Sequence, residues 1–253
     1  MSEPLAVVSL GRMDYGAAHQ LQRKLCDLRI AGEIDRDVLL LVEHEPTITM
    51  GRGTRAESLP LSPEQIRGRG LTVVEIERGG DVTWHGPGQL VGYPILDLNQ
   101  HKPDLHWYLR QVEEVLIRAL ARLEIQAERN PGLTGVWTGG RKIASIGIHV
   151  RRWVTTHGFA LNVVNDLAGF GLIVPCGIQG VEMTAVRREG GQAGNDLSND
   201  QLWSLTTEAV VAAFGEVFGL TPVRANLESL IDATAHDPRP STLEGTELPQ
   251  DTF

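Results

Sequence analysis

Apolar residues recur every three or four positions at Ala17, Leu21, Leu25 and Leu28, with Asp14 ahead of them as an N-cap and Gly32 behind them as a stop. That spacing predicts a first amphipathic helix. A second runs from the Asp104 cap through Leu105, Leu109, Val112, Leu116, Ala119 and Leu123. A third follows the Ser198/Gln201 capping box and reaches about Phe218. Ser62-Pro63-Glu64 opens a short helix. Between the helices lie compact apolar runs of strand length: Val7–Leu10, Val38–Val42, Thr47–Met50, Leu71–Glu77, Leu90–Leu96, Gly135–Thr138, Lys142–Val150, Thr155–Val164, and a short one near Pro222–Arg224. Strand pairs with short links alternating with three long helices fit neither βαβ repetition nor an all-β fold. The expectation is an α/β (α+β) domain, a mixed sheet flanked by helices.

Composition narrows the function classes. A net charge of −9 argues against nucleic-acid binding and against docking on anionic membranes. The sequence holds no apolar stretch of membrane-spanning length and no signal-peptide pattern at its start, and its two cysteines make no disulfide framework. A cytoplasmic protein, active as a monomer, is expected. From Ile231 to Phe253 one arginine faces five carboxylates, with no periodic apolar residues. Residues 231–253 are therefore read as a disordered acidic tail and 1–230 as the folded part, one large domain or two small ones, with any second domain after about residue 180 built on the last helix.

The segment from Arg78 to Gln89 concentrates chemistry. Arg78, Gly79, Gly80, Asp81, Val82, Thr83, Trp84 and His85 are followed by Gly86-Pro87-Gly88-Gln89, and the stretch from Arg78 through Gly92 holds five glycines. A plain hairpin would need about two to five turn residues. A loop of a dozen that offers a cation, a carboxylate, a hydroxyl, an imidazole and a carboxamide is read as a functional loop. Two other motifs fail. Gly51-Arg-Gly53-Thr-Arg-Ala56 has no helix after it to receive a pyrophosphate, and Gly135–Lys142 resembles a phosphate loop with its lysine one place late. The histidines show no metal-ligand spacing, so no metal is expected; His101 and His106, at a helix start, read as surface residues.

Cys26 falls on the first helix as a small buried thiol. Cys176 stands between Pro175 and Gly177, a setting read as a sharp turn that would present the thiol beside an open N–H. That suits either a structural turn or a nucleophile with an oxyanion donor. Lys142, in Arg141-Lys142-Ile143-Ala144-Ser145-Ile146-Gly147, suits either a solvated strand start or a proton carrier. His157-Gly158-Phe159-Ala160-Leu161-Asn162 adds an imidazole beside a glycine.

Taken in order, RGGDVTWHGPGQ, RKIASIG, HGFALN and PCGI closely resemble the lipoyl(octanoyl) transferases, over about Val7 to Phe218. The resemblance implies a fold similar to the catalytic domain of biotin and lipoate protein ligases. It implies a Cys/Lys dyad at Cys176 and Lys142, and substrate contacts at Arg78 to His85, at Ser145, Ile146 and Gly147, and at His157, Gly158, Phe159 and Ala160. The implied reaction moves octanoyl from acyl carrier protein to a lipoyl-domain lysine through a cysteine thioester. No cofactor is implied beyond the carrier protein's phosphopantetheine. The implied acceptors are the lipoyl domains of 2-oxoacid dehydrogenase E2 subunits and the glycine cleavage H protein. His85 is expected to line the pocket, since the dyad already moves the proton. An acidic carrier protein further suggests a basic rim from Arg141, Arg151, Arg152, Arg187 and Arg188. An ATP-dependent lipoate or biotin ligase on the same fold would need a phosphate loop and no thiol. A non-catalytic binding module would have no use for the dyad.

Overall fold

In a computed structural model, residues 2–174, 180–190, 194 and 196–232 are described. Strand β1 (Pro4–Met13) leads through the Asp14 cap, whose carboxylate accepts from the Ala17 N–H, into α1 (Tyr15–Ala31), which ends at Gly32 in the left-handed region. Strands β2 (Asp37–His44) and β3 (Thr47–Met50) follow, then the short α2 (Pro63–Arg67) behind its Ser62/Gln65 capping box. Next come β4 (Thr72–Glu75), β5 (Val82–His85), β6 (Gln89–Ile95) and α3 (Leu105–Ala121), capped by Asp104. Strands β7 (Glu128–Asn130), β8 (Leu133–Thr138), β9 (Arg141–Arg151) and β10 (Val154–Asn162) precede α4 (Val186–Glu189). The long α5 (Asn199–Phe218), β11 (Thr221–Arg224) and α6 (Leu227–Asp232) complete the described chain.

Eight strands form a mixed sheet in the order β11-β1-β2-β6-β10-β9-β8-β7, parallel only where β1 meets β11 and β2. The run Val38–Val42 is apolar at every position because β2 is covered on both faces. Leu39 and Leu41 pack beneath α3 and α5, while Val38, Leu40 and Val42 face α1. The mixed α/β architecture with a helix-flanked sheet is as expected. Among the described residues, no helix is long and apolar enough to cross a membrane.

Four local expectations need correction. The segment from Arg78 to Gln89 is not one long loop. Val82–His85 is a strand, antiparallel to β3 in a separate three-stranded sheet ordered β4-β3-β5. Its alternation is hidden because all four of its residues are buried. Helix α1 turns a more polar face inward than its leucines suggest: Ala17 is exposed, whereas Gln22 and Arg29 are buried. Both find partners. Gln22 accepts from the His157 N–H at 2.8 Å, and Arg29 pairs with Asp37 at 3.1 Å. Leu105, at the start of α3, is exposed. His101 is a structural side chain, its Nε2 2.6 Å from Asp37 Oδ2. The phosphate-loop near miss, by contrast, fails as expected and is a hairpin: Gly139 (φ 53°) and Gly140 (φ 78°) turn β8 into β9, a backbone conformation that glycine adopts without strain.

Candidate active site

A cleft of about 480 Å³ opens between α1, the Arg78–His85 segment and strands β6, β9 and β10. Arg78, Gly80, Asp81, Val82, Thr83 and His85 line it, as do Ser145, Ile146 and Gly147 from β9 and His157, Gly158, Phe159 and Ala160 from β10. Three segments separated by some sixty and ten residues in sequence thus meet where β10 pairs with β9 and β6, Gly158 opposite Gly147 and Phe159 opposite Gly92. Two of the expected contact residues stand apart. Trp84 points away into the small sheet's core against Phe170, at 5.4 Å between ring centroids. Gly79 serves the backbone, its N–H bonded to the Ile148 carbonyl at 2.8 Å. Tyr15, Val91 and Tyr93 also line the cleft. Strand alternation places Val91 and Tyr93 together on the α1 face, but nothing in their spacing marks that face as a cleft.

Arg78 is held rather than waving: its Nη2 donates to the Thr49 carbonyl at 2.8 Å and hydroxyl at 3.0 Å, and its Nη1 to the Gly79 carbonyl at 3.1 Å. Asp81 Oδ1 accepts from the Val82 N–H at 2.7 Å and its Oδ2 from the Ser58 hydroxyl. These bonds brace the turn that enters β5. Burial, with the nearby His44 next, depresses His85 to about 3, so its imidazole is neutral. Its Nδ1 bonds to Gln89 Oε1 at 2.8 Å. Because the Gln89 amide nitrogen already donates to the Trp84 carbonyl and to Asn162, Oε1 must accept, and the proton sits on His85 Nδ1. Nε2 is then the acceptor nitrogen. His44 donates through Nδ1 to the Met13 carbonyl and accepts from the Tyr93 hydroxyl at 2.7 Å. Burial raises both Tyr15 and Tyr93 above the ordinary phenol range, keeping the cleft wall neutral.

Lys142 is buried, 2% exposed, which removes the solvated strand end as its explanation. Its ammonium donates to the Thr134 carbonyl at 3.0 Å and lies 5.5 Å from the centre of the Trp137 ring. Space for it exists because residue 135 is glycine: a Cβ there would stand 2.7 Å from Lys142 Cε. The backbone of Lys142 pairs with a later segment, its N–H to the Glu182 carbonyl and its carbonyl to the Thr184 N–H. Cys176 lies outside the described residues, within 175–179. The chain before it is anchored by the Val174 N–H on the Ser58 carbonyl, and Ser58 in turn bonds to Asp81 of the cleft.

The model of the lipoyl protein ligase A/B catalytic domain family matches residues 14–216. An octanoyltransferase of Nostoc sp. strain PCC 7120 is 49% identical over 216 residues, covering 83% of this chain and 90% of that protein. One from Geobacter sulfurreducens is 46% identical over 248 residues, covering 98% and 96%. The chain belongs to the octanoyltransferase family. Its fold is also that of solved lipoate ligases. Lipoate-protein ligase A bound with ATP superposes with a TM-score of 0.70 over 93% of each chain at 16% identity. A bi-partite lipoate protein ligase from Thermoplasma acidophilum gives 0.66 over 92% of this chain and 91% of its own at 15% identity. Identities this low speak for the fold alone.

The five arginines named from sequence do different work, and none of them lines the cleft. Arg141 pairs with Glu189 at 2.9 Å, which raises its pKa, and Arg151 pairs with Asp27. Arg187 donates to the Gly194 and Leu197 carbonyls and to Asn199, stitching α4 to the start of α5. Arg152 and Arg188 are exposed.

Proposed function

We propose that residues 1–230 form a single catalytic domain that transfers octanoyl from acyl carrier protein to a lipoyl-domain lysine, with Cys176 as nucleophile and Lys142 as proton carrier. Lipoyl domains of 2-oxoacid dehydrogenase E2 subunits and the glycine cleavage H protein are the acceptors in this reading. The Cys176 thiolate attacks the thioester carbonyl, the carbon–sulfur bond to phosphopantetheine breaks, and the carrier thiol leaves with a proton. The acceptor amine then attacks the Cys176 thioester, an amide forms, and the cysteine thiol is regenerated. Thioester exchange conserves the bond energy, so no ATP is consumed, and the stable amide draws the second step forward.

The burial of Lys142 carries this reading. Lysine is rarely buried without a task or a partner. Here it stands on the strand that supplies Ser145, Ile146 and Gly147 to the cleft, and its backbone pairs with residues shortly after Cys176. As ammonium it favours the Cys176 thiolate, since an unperturbed thiol near about pKa 8.5 is only slightly ionised at neutral pH. As free amine it takes the proton from the thiol or from the incoming lysine. The cleft receives the acyl chain against Val82, Val91, Ile146, Phe159 and Ala160. Its apolar carbons contribute at most about 5–6 kcal/mol at roughly 0.8 kcal/mol each.

Intact-mass analysis after incubation with octanoyl carrier protein and no ATP tests the reading. The expected result is one octanoyl adduct on the native protein, labile to hydroxylamine, absent in Cys176→Ser as a thioester and slow to form in Lys142→Ala. A native protein that acquires no adduct, or a serine variant that gains a thioester at full rate, overturns it.

A further inference from the structure

One group of side chains has no assigned step in the acyl chemistry, although its His157 also lines the cleft. His19 of α1, Glu77 in the loop after β4 and His157 of β10 each bring one ligand-capable atom to within 4.8 Å of the others. His19 Nε2 is 3.1 Å from Glu77 Oε1, whereas His157 Nε2 is 4.0 Å from Glu77 Oε2, beyond hydrogen-bond range. His157 is 2% exposed, and neither of its ring nitrogens has a hydrogen-bond partner among the described residues. A buried polar group left in that condition is costly. The backbone adds to the cost: His157 sits at φ 56°, held there by its N–H on Gln22 Oε1. Strain of this kind persists where the surrounding structure imposes it, and such residues cluster at functional sites.

We propose that His19, Glu77 and His157 form a binding site for a divalent transition ion of the zinc class. Two imidazoles and one carboxylate suit zinc and leave a fourth position for water or an anion; magnesium and calcium favour all-oxygen sets. A tetrahedral ion with bonds of about 2.0–2.1 Å sets its ligand atoms about 3.3–3.5 Å apart. His19 Nε2 and Glu77 Oε1, at 3.1 Å, are already near that spacing, and all three ligand atoms lie within 4.8 Å of one another, so side-chain rotations complete the site. An entry path exists. Glu77 also lines an outer cavity of about 570 Å³ with Arg23, Cys26 and His149, in which Arg151 is already paired with Asp27. The ion thus occupies the wall between this cavity and the acyl cleft. His157 immediately precedes Gly158, so loading the site acts on the cleft's own strand.

Cobalt(II) titration followed by visible absorption tests the site directly. Full-length protein carrying Cys26→Ser and Cys176→Ser, stripped with chelator, keeps thiolate from competing and separates this test from the acyl-transfer reading. One equivalent of Co²⁺ is expected to give the intense bands of four-coordinate nitrogen and oxygen ligation. His19→Gln and Glu77→Gln, at partly exposed positions and checked for folding by circular dichroism, are each expected to weaken binding at least tenfold. His149→Gln is expected to leave it unchanged. Only the weak spectrum of six-coordinate cobalt, or undiminished affinity in both His19→Gln and Glu77→Gln, overturns the proposal.

Discussion

The side chain of Gln89 donates to Asn162 Oδ1 at 3.0 Å, joining β6 to β10 in the sheet beneath the cleft. Asn162 then donates to the Thr184 carbonyl at 2.9 Å, and Gln89 accepts from His85. A continuous chain of buried bonds therefore runs from the cleft imidazole to the segment alongside Lys142. Asn162→Ala leaves both the Gln89 amide and the Thr184 carbonyl without this partner, at about 1–3 kcal/mol for each buried group. A lower thermal midpoint is expected, with a more than tenfold slower octanoyl transfer measured below that midpoint. Native-like transfer by a folded Asn162→Ala protein would show that the chain does not hold the site.

Lys142→Met tests proton transfer apart from packing. Methionine keeps the unbranched, buried stem and removes the charge and the donor to Thr134. The turnover number is expected to fall by about 10²–10⁴-fold, the usual worth of a positioned proton carrier. The urea midpoint is expected to move little. Loss of folding with no selective loss of turnover would assign Lys142 a structural role.

Much of this arrangement is legible in residue order, and the gaps have physical causes. Caps and turns are local, so Asp14, Asp104, Ser198/Gln201 and the glycine stop at Gly32 mark helix ends without any tertiary information. Strand β5 is not legible, because Thr83 and His85 are polar yet buried: the small sheet covers one side and the cleft the other. The inward face of α1 is missed for the same reason, since Gln22 and Arg29 are buried through partners more than a hundred residues away or in the next strand. The His19, Glu77 and His157 group escapes any spacing rule. Its members come from a helix, a loop and a strand, and only the fold brings them together.

Acid should weaken the fold through its buried histidines before the carboxylates titrate. His85 is pushed from 6.5 down to about 3, mainly by burial, and burial lowers His44 as well. The unfolded chain therefore binds more protons than the folded one between about pH 3 and 6.5. Stability is full above that window and is lost as pH falls through it. The two rings meet edge to face at 5.8 Å, with Tyr15 and Arg78 close by, so a proton on one is repelled by any on the other. Urea midpoints are expected to fall from pH 7 to pH 5, and His85→Gln to flatten that slope. An unchanged slope in the variant would remove His85 from the account.

Away from the cleft, Asp37 carries a buried charge for three elements. It pairs with Arg29 at 3.1 Å, bonds to His101 at 2.6 Å and accepts from the Asp97 N–H at 3.1 Å. Asp37→Ala strands the Arg29 guanidinium in the interior, a loss of about 3–5 kcal/mol. Chemical denaturation is expected to report that loss, while transfer activity per folded molecule stays native. A change under about 1 kcal/mol would mean that water replaces the carboxylate at the pair.

Gly135 gives the sharpest test of how the lysine is placed. It stands at φ 129°, and a Cβ there would lie 2.7 Å from both the Ala144 carbonyl and Lys142 Cε, and 3.2 Å from Nζ. Alanine must therefore either adopt a backbone conformation that L-residues avoid or push the amine aside. Gly135→Ala is expected to cost about 1–3 kcal/mol of stability and to slow acyl transfer. The stability cost alone would not separate strain from catalysis, so the decisive measurement is the double variant. If Gly135 acts through the lysine, adding Gly135→Ala to Lys142→Met changes the rate no further, although it still lowers the unfolding midpoint. A rate loss of the same size in both backgrounds would assign the glycine's effect to the sheet rather than to the amine.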